Sequence, residues 1–227
     1  MDRRLIWFLV LLAPVLAWSW INPHDRFTWW LESVPVVAGV PVIFAFQKKF
    51  PLSTLLLVLV WLHCVILVVG GHYTYALVPA GEWAKEWFGW TRNNYDKLGH
   101  FAQGFVPAIL ARELLVRTSP LNHRMNGPFD MAQGNGSAKP SRWLAFLVVC
   151  VCLAFSALYE LLEWFTAVTT GEAAEAFLGT QGDPWDTQTD MLMALIGAVA
   201  AIVVLSRVHD RSMAKVLAGH TPEKSDT

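Results

Sequence analysis

The sequence predicts an all-α protein: a polytopic bundle of about six transmembrane helices with both termini in the cytoplasm. Three observations predict it. The 227-residue chain is 55% hydrophobic and only 15% charged, where a soluble domain carries about 25% charged residues. Its apolar residues gather in long runs, and a bilayer needs about 20 apolar residues per helical span. Its basic residues collect on one side of those runs.

Taken in order, the runs are Leu5–Trp20, Trp29–Phe46, Leu52–Gly70, Leu98–Val116, Trp143–Phe165 and Pro184–Val208. The first is short. Its start, MDRRLIWFLVLLAPVLAW, has the basic and apolar regions of a secretory signal, but bulky WSW follows and the rest of the chain is equally membrane-like. A retained signal anchor is therefore expected. The fourth run is the most polar. Between the third and fourth lies EWAKEWFGW, with Trp83, Trp87 and Trp90 at helical spacing and Glu82, Lys85 and Glu86 turned away from them. That pattern predicts a short helix lying in the interface. The twelve tryptophans of the chain suit the two membrane–water boundaries.

The loop around 118–142 is Gly-rich, polar and without periodicity, and reads as a flexible cytoplasmic linker. Residues 1–208 form one transmembrane domain in this reading, and 209–227 a cytoplasmic tail. The loops with the first and last residues hold 13 of the 17 Lys and Arg, and the opposite side holds only Arg26, Lys85, Arg92 and Lys97. By the positive-inside rule the first set is cytoplasmic. A net charge of −1 argues against nucleic acid as a partner. Cys64, Cys150 and Cys152 all lie in apolar runs and are expected to be small buried hydrophobes, neither disulfides nor metal ligands.

The orientation sends 12 of the 18 acids to the outer side, Glu172 and Glu175 among them. Four polar clusters gather there. GGHYTY ends the third span and carries His72. YDKLGHFAQGF opens the fourth, and Asp96, His100 and Gln103 share one helix face at spacings of four and three. Pro107 has no N–H to offer the carbonyl of Gln103. YELLEWF ends the fifth span with Glu160 and Glu163 on one face. GTQGDPWDTQTD opens the sixth: Asp183 and Pro184 read as N-cap and first helical residue, and Asp186, Gln188 and Asp190 follow. A carboxylate inside a span costs about 2.5–3.5 kcal/mol on insertion scales and usually marks function. The expected site is thus a periplasm-facing polar pocket of His72, Asp96, His100, Gln103, Glu160, Glu163, Asp186, Gln188 and Asp190.

Four residues have simpler expected roles. Lys97 would snorkel to the interface, Glu113 and Arg117 would form an i,i+4 pair, and His63 would bond a neighbouring helix.

The stretches YDKLGHFAQGF (95–105), YELLEW (159–164) and FLGTQGDPWDTQTDM (177–191) resemble the YjdF-like family of bacterial inner-membrane proteins. The resemblance implies a multi-pass protein of the inner membrane and brings no established activity. DKLGHF is also similar to the DK-x-x-HF opening of VanZ-like membrane proteins, which would imply an envelope-related role. The residues themselves leave the chemistry open. His100, Glu163 and Asp190 could hold a divalent cation. The pocket could instead take a small polar or lipid-linked ligand. A proton-coupled carrier and a structural or partner-binding membrane protein are the alternatives. No motif of a known hydrolase or nucleotide-binding enzyme is present, so catalysis stays undecided.

Overall fold

The computed structural model describes residues 2–119, 142–171 and 180–218. It shows seven α-helices among those residues and no strand. They are α1 (Arg3–Trp20), α2 (Arg26–Phe46), α3 (Thr54–Tyr73), α4 (Pro79–Phe88), α5 (Tyr95–Thr118), α6 (Arg142–Thr170) and α7 (Asp186–Ala218), with a 3-10 turn at Tyr75–Leu77. The six long helices run alternately up and down. Among the described residues, one end of the bundle gathers Asp96, Asp183, Asp186 and Asp190, and the other gathers Arg4, Arg112 and Arg117. These are called the acidic and the basic end below.

Short polar residues set the helix starts. Asp2 accepts from the N–H of Arg4 at 2.9 Å, Asp25 from Thr28 at 2.6 Å and Ser53 from Leu56 at 3.3 Å. Each fills a donor that the first turn leaves unpaired. The start of α7 differs from the sequence reading. Asp183 accepts from the N–H of Trp185 at 2.9 Å, closing a turn, and the helix begins at Asp186. Arg92 holds Asp183 and Asp186 together from outside, which favours the turn over an earlier helix.

Five helices, α1, α2, α3, α6 and α7, are long and apolar enough to cross a membrane. At 24 residues α5 is also long enough, but it buries Asp96, Arg112 and Glu113. Its position explains the composition. It packs against α3, α6 and above all α7, so its partners are protein side chains and it needs no continuous apolar coat. A seam of small residues lets α5 and α7 approach. A Cβ on Gly104 would overlap the carbonyl of Ala194, and one on Gly197 the carbonyl of Phe101. Close backbone approach of this kind is how helices associate where lipid is the solvent.

The main core joins Leu56, Ile109, Val148, Cys152, Ala198 and Met213, all buried. A second cluster of Phe8, Leu12, Val36, Cys64 and Val68 binds α1 and α2 to α3. Cys64 and Cys152 lie in these cores, and Cys150 is exposed with no disulfide partner. The outside is apolar too, with Trp7, Phe155, Val203 and Val204 among many exposed large hydrophobics. An apolar exterior around a polar centre is the inversion that a bilayer imposes. The helix α4 starts on Pro79 and ends on Gly89, whose φ of +66° is left-handed. Trp83 and Trp87 point outward from it, as an interfacial helix requires.

The tail reading changes. Helix α7 continues to Ala218, and His209 and Met213 are buried on its inner face. The expected linker lies mostly outside the described residues, as do Glu172, Glu175 and residues 219–227.

Candidate functional site

The site is built at the acidic end by α5, α6 and α7, with α2 and the turn at Tyr75 closing one side. Two stripes on α6 show how the sequence makes it. Leu144, Val148, Cys152, Ser156 and Glu160 recur every four residues and are buried. Beside them, Val151, Phe155, Tyr159 and Glu163 line a cavity. Each stripe is apolar toward the basic end and turns polar toward the acidic end. Glu160 and Glu163, three apart, therefore have different surroundings: Glu160 faces His100 at 3.7 Å, and Glu163 faces the cavity.

Two cations organise the acids. The Arg92 guanidinium pairs with Asp96, with Asp183 at 3.2 Å and with Asp186 at 2.7 Å. Lys97 donates to Asp186 at 2.7 Å and to Asp190 at 2.9 Å. The expectation that Lys97 snorkels outward is therefore corrected. Three carboxylates lie within 4 Å of its ammonium, and that attraction outweighs hydration. The loop bearing Arg92 is fixed in turn. Asn93 exchanges hydrogen bonds with Gln181 at 3.0 and 2.8 Å, and its side chain donates to Val78 and Glu82. For Arg92 the loss of hydration opposes the charged form, but the bond to Asp186 and the charges of Asp96, Asp186 and Asp183 raise its pKa above the ordinary value.

His100 lies one turn deeper. Its Nδ1 is 2.9 Å from Oε1 of Gln103, so Nδ1 carries the proton and Nε2 is left with its lone pair. Nε2 is 3.8 Å from Asp190. Ligand atoms of His100, Glu160 and Asp190 all lie within 4.8 Å of one another, as do those of Asp96, Asp186 and Asp190. The grouping with His100 and Asp190 contains Glu160 where the sequence suggested Glu163, because the helix turn carries Glu163 to the other stripe.

Below this cluster is a cavity of about 530 Å³. Its polar end is lined by Glu32, Tyr75, Asp96, His100, Gln103, Tyr159, Glu163 and Asp190. Its other end is lined by Leu110, Ala111, Leu114, Val151, Phe155 and Leu162. Phe155, Leu158 and Leu162 are also exposed on the outer surface, so the apolar end reaches the lipid-facing side. Helices α2 and α6, on either side of the cavity, scarcely touch. A single bond from the Tyr159 hydroxyl to Glu32, 3.2 Å long, links them. The ring of Tyr75 fits between Gly70 and Gly99, where any Cβ would meet it.

Several expected residues are brought together here: Asp96, His100, Gln103, Glu160, Glu163, Asp186 and Asp190. His72 is not among them. It stacks on Trp18 and approaches the carbonyl of Ser19 at 3.0 Å, on the side of α3 that meets α1. Gln188 is exposed on the outer side of α7. Among the described residues His63 shows no hydrogen bond to a neighbouring helix. Its Nε2 has no hydrogen-bond partner among the described residues, and the side chain lines the cavity. Sequence reasoning passed over Glu32, Arg92 and Tyr159. Glu32 could have been found as an acid inside a span, and Arg92 as one of only four basic residues among the outer acids. Tyr159 gave no signal beyond its place beside Glu160.

A bundle of this kind, with an acid-rich cluster over a half-apolar cavity, defines a polytopic helical membrane protein whose environment is the lipid bilayer. The chain belongs to the family described as "Predicted membrane protein (DUF2238)", whose model matches residues 4–211. It is similar to the "Inner membrane protein YjdF" of Escherichia coli (strain K12), with 46% identity over 202 residues, covering 89% of this chain and 88% of that protein. It is accordingly a multi-pass protein of the bacterial inner membrane. No solved structure matches it.

Proposed function

We propose that the protein binds an amphiphile drawn from the bilayer. The head group sits at the polar end of the cavity, and the chain lies between α5 and α6. The observation that carries this reading is the lengthwise change of the cavity lining, from four acids, His100 and Gln103 at one end to Leu, Val and Phe at the other. Pockets for lipid-like molecules need both ends. Among the described residues the lining holds Glu32, Asp96, Glu163 and Asp190 but no Lys or Arg, so the head group it suits donates hydrogen bonds, through hydroxyls or an amine. Apart from Lys97, the described basic residues of α1, α5, α6 and α7 gather at the opposite end. This supports a periplasmic position for the site by the positive-inside rule. The carrier reading has less support, since the polar groups at the basic end form a separate closed network.

The test is native mass spectrometry of the full chain extracted into lipid nanodiscs. Wild type should retain about one amphiphile per chain. Ala111→Trp, which fills the apolar end, should lose it while keeping the melting temperature within a few degrees. Identical lipid content in the two proteins would sink the proposal and favour a structural role for the cluster.

A further inference from the structure

The geometry points to a divalent-cation site of the zinc type formed by His100, Glu160 and Asp190, with an open position toward the cavity. Three ligands and one open position are the arrangement of a reactive zinc centre rather than a structural one. One imidazole nitrogen with two carboxylates suits zinc, cobalt or manganese, whereas calcium and magnesium prefer all-oxygen shells.

Ligand atoms about 2.0–2.1 Å from a tetrahedral zinc stand roughly 3.3–3.5 Å apart. Here Oε1 of Glu160 is 3.7 Å from Nδ1 of His100, Oδ1 of Asp190 is 3.8 Å from Nε2, and ligand atoms of the three residues lie within 4.8 Å of one another. Binding at Nε2 therefore requires the Glu160 side chain to swing from the Nδ1 edge of the ring toward Nε2, and Asp190 to turn in the oxygen that Lys97 does not hold. Gln103 accepts from Nδ1 of His100 and so presents Nε2 as the ligand atom, the orienting role that an outer-shell partner plays in metal sites. An independent observation is the state of Glu160. The residue is 6% exposed, and its Oε1 has no hydrogen-bond partner among the described residues. A buried carboxylate oxygen without a donor is costly, and a cation would satisfy it. The second grouping, Asp96, Asp186 and Asp190, differs on this point, because Arg92 and Lys97 already supply its cations. Lys97 holds one oxygen of Asp190, and a carboxylate has a second oxygen to turn toward an ion.

This site stands without the amphiphile. Cobalt binding and lipid retention are separate readouts, so either reading can fail alone. The full chain in detergent, stripped with a chelator and desalted, is titrated with Co²⁺ only. One tight site per chain is expected. Glu160→Gln and His100→Ala should each weaken it more than the roughly 10–100-fold that loss of an outer-shell partner costs. Gln103→Ala should fall within that range, and Glu163→Gln should bind as wild type does. His100→Cys should add an intense thiolate-to-cobalt band that no structural role would produce. Wild type without stoichiometric Co²⁺ overturns the proposal, as does unchanged binding in a folded Glu160→Gln. Should the variants fail to fold, pulsed electron spin resonance of Cu²⁺ on wild type decides. One coupled imidazole nitrogen supports the site, and none overturns it.

Discussion

The two ends of the bundle hold polar clusters made from the same kinds of side chain, but the clusters are completed differently. At the basic end Glu113 and His209 are both fully buried. One oxygen of Glu113 accepts from the Ser53 N–H at 2.9 Å and from Arg117 at 2.8 Å. The other meets Nε2 of His209 at 2.9 Å, and Nδ1 of His209 accepts from Arg112 at 3.0 Å. Arg117 also donates to the carbonyl of Pro51 and lies over the ring of Phe50. At the acidic end the carboxylates outnumber the cations, Glu160 keeps an oxygen without a donor, and a cavity of about 530 Å³ lies beneath. A buried network whose members are all paired fixes how helices meet. One left unpaired beside a cavity carries a cost that folding alone does not explain.

The comparison is broken most easily from the basic end. Glu113→Ala removes the acceptor shared by Ser53, Arg117 and His209. Removing one partner of a buried ionic network costs about 3–5 kcal/mol. The expected outcome is a large drop in melting temperature and in folded yield, read by size-exclusion and thermal unfolding in detergent. A wild-type melting curve would show that the basic-end network is not what ties α3, α5 and α7 together.

Substitutions at the acidic end should act on stability far less. His100→Ala removes one hydrogen bond to Gln103, worth about 1 kcal/mol. Glu160→Gln should leave stability unchanged or raise it, because it replaces a buried carboxyl group, one oxygen of which lacks a donor, with a neutral amide. Residues kept for binding against stability behave in this way. Thermal unfolding of both variants checks the contrast. If Glu160→Gln cost as much as Glu113→Ala, the acidic cluster would be as structural as the basic one.

The helices were legible in the sequence because lipid demands long apolar runs, and each run has its helix, the last of them extending ten residues beyond its run to Ala218. The α7 start was misplaced because Asp183 and Pro184 satisfy the local rules for a helix start, while Arg92, a distant residue, decides the outcome. The rise in polarity after Val208 places His209 in a tail when the sequence is read alone. Its burial depends on Glu113, 96 positions earlier in the chain. The acids of the site could be read one by one from the cost of placing charge in a span. Their division into paired and unpaired members could not, because spacing along a helix does not reveal which neighbouring helix supplies a cation.

The smallest expected effects come from the helix caps outside the spans, and they sharpen the same contrast. The hydrogen bond from the Arg4 side chain holds Asp2, at the basic end, below the ordinary carboxylate pKa. The Thr28 N–H does the same for Asp25 at the acidic end. A carboxyl group with a depressed folded pKa contributes stability above its unfolded pKa and loses it as pH falls through the folded value. Both caps should therefore hold at neutral pH and weaken only below about pH 4. At pH 7 Asp25→Ala should cost about 1 kcal/mol, the usual worth of a cap. Asp2 also binds the Arg4 guanidinium and accepts from Gln47 at 3.3 Å, and Arg4 reaches the carbonyl of Leu52 at 3.0 Å. Asp2→Ala should therefore cost more than Asp25→Ala. Melting temperatures of the two variants at pH 7 and pH 3 test this. Equal losses at pH 7 would mean that the paired character of the basic end stops at Glu113 and does not reach the first helix.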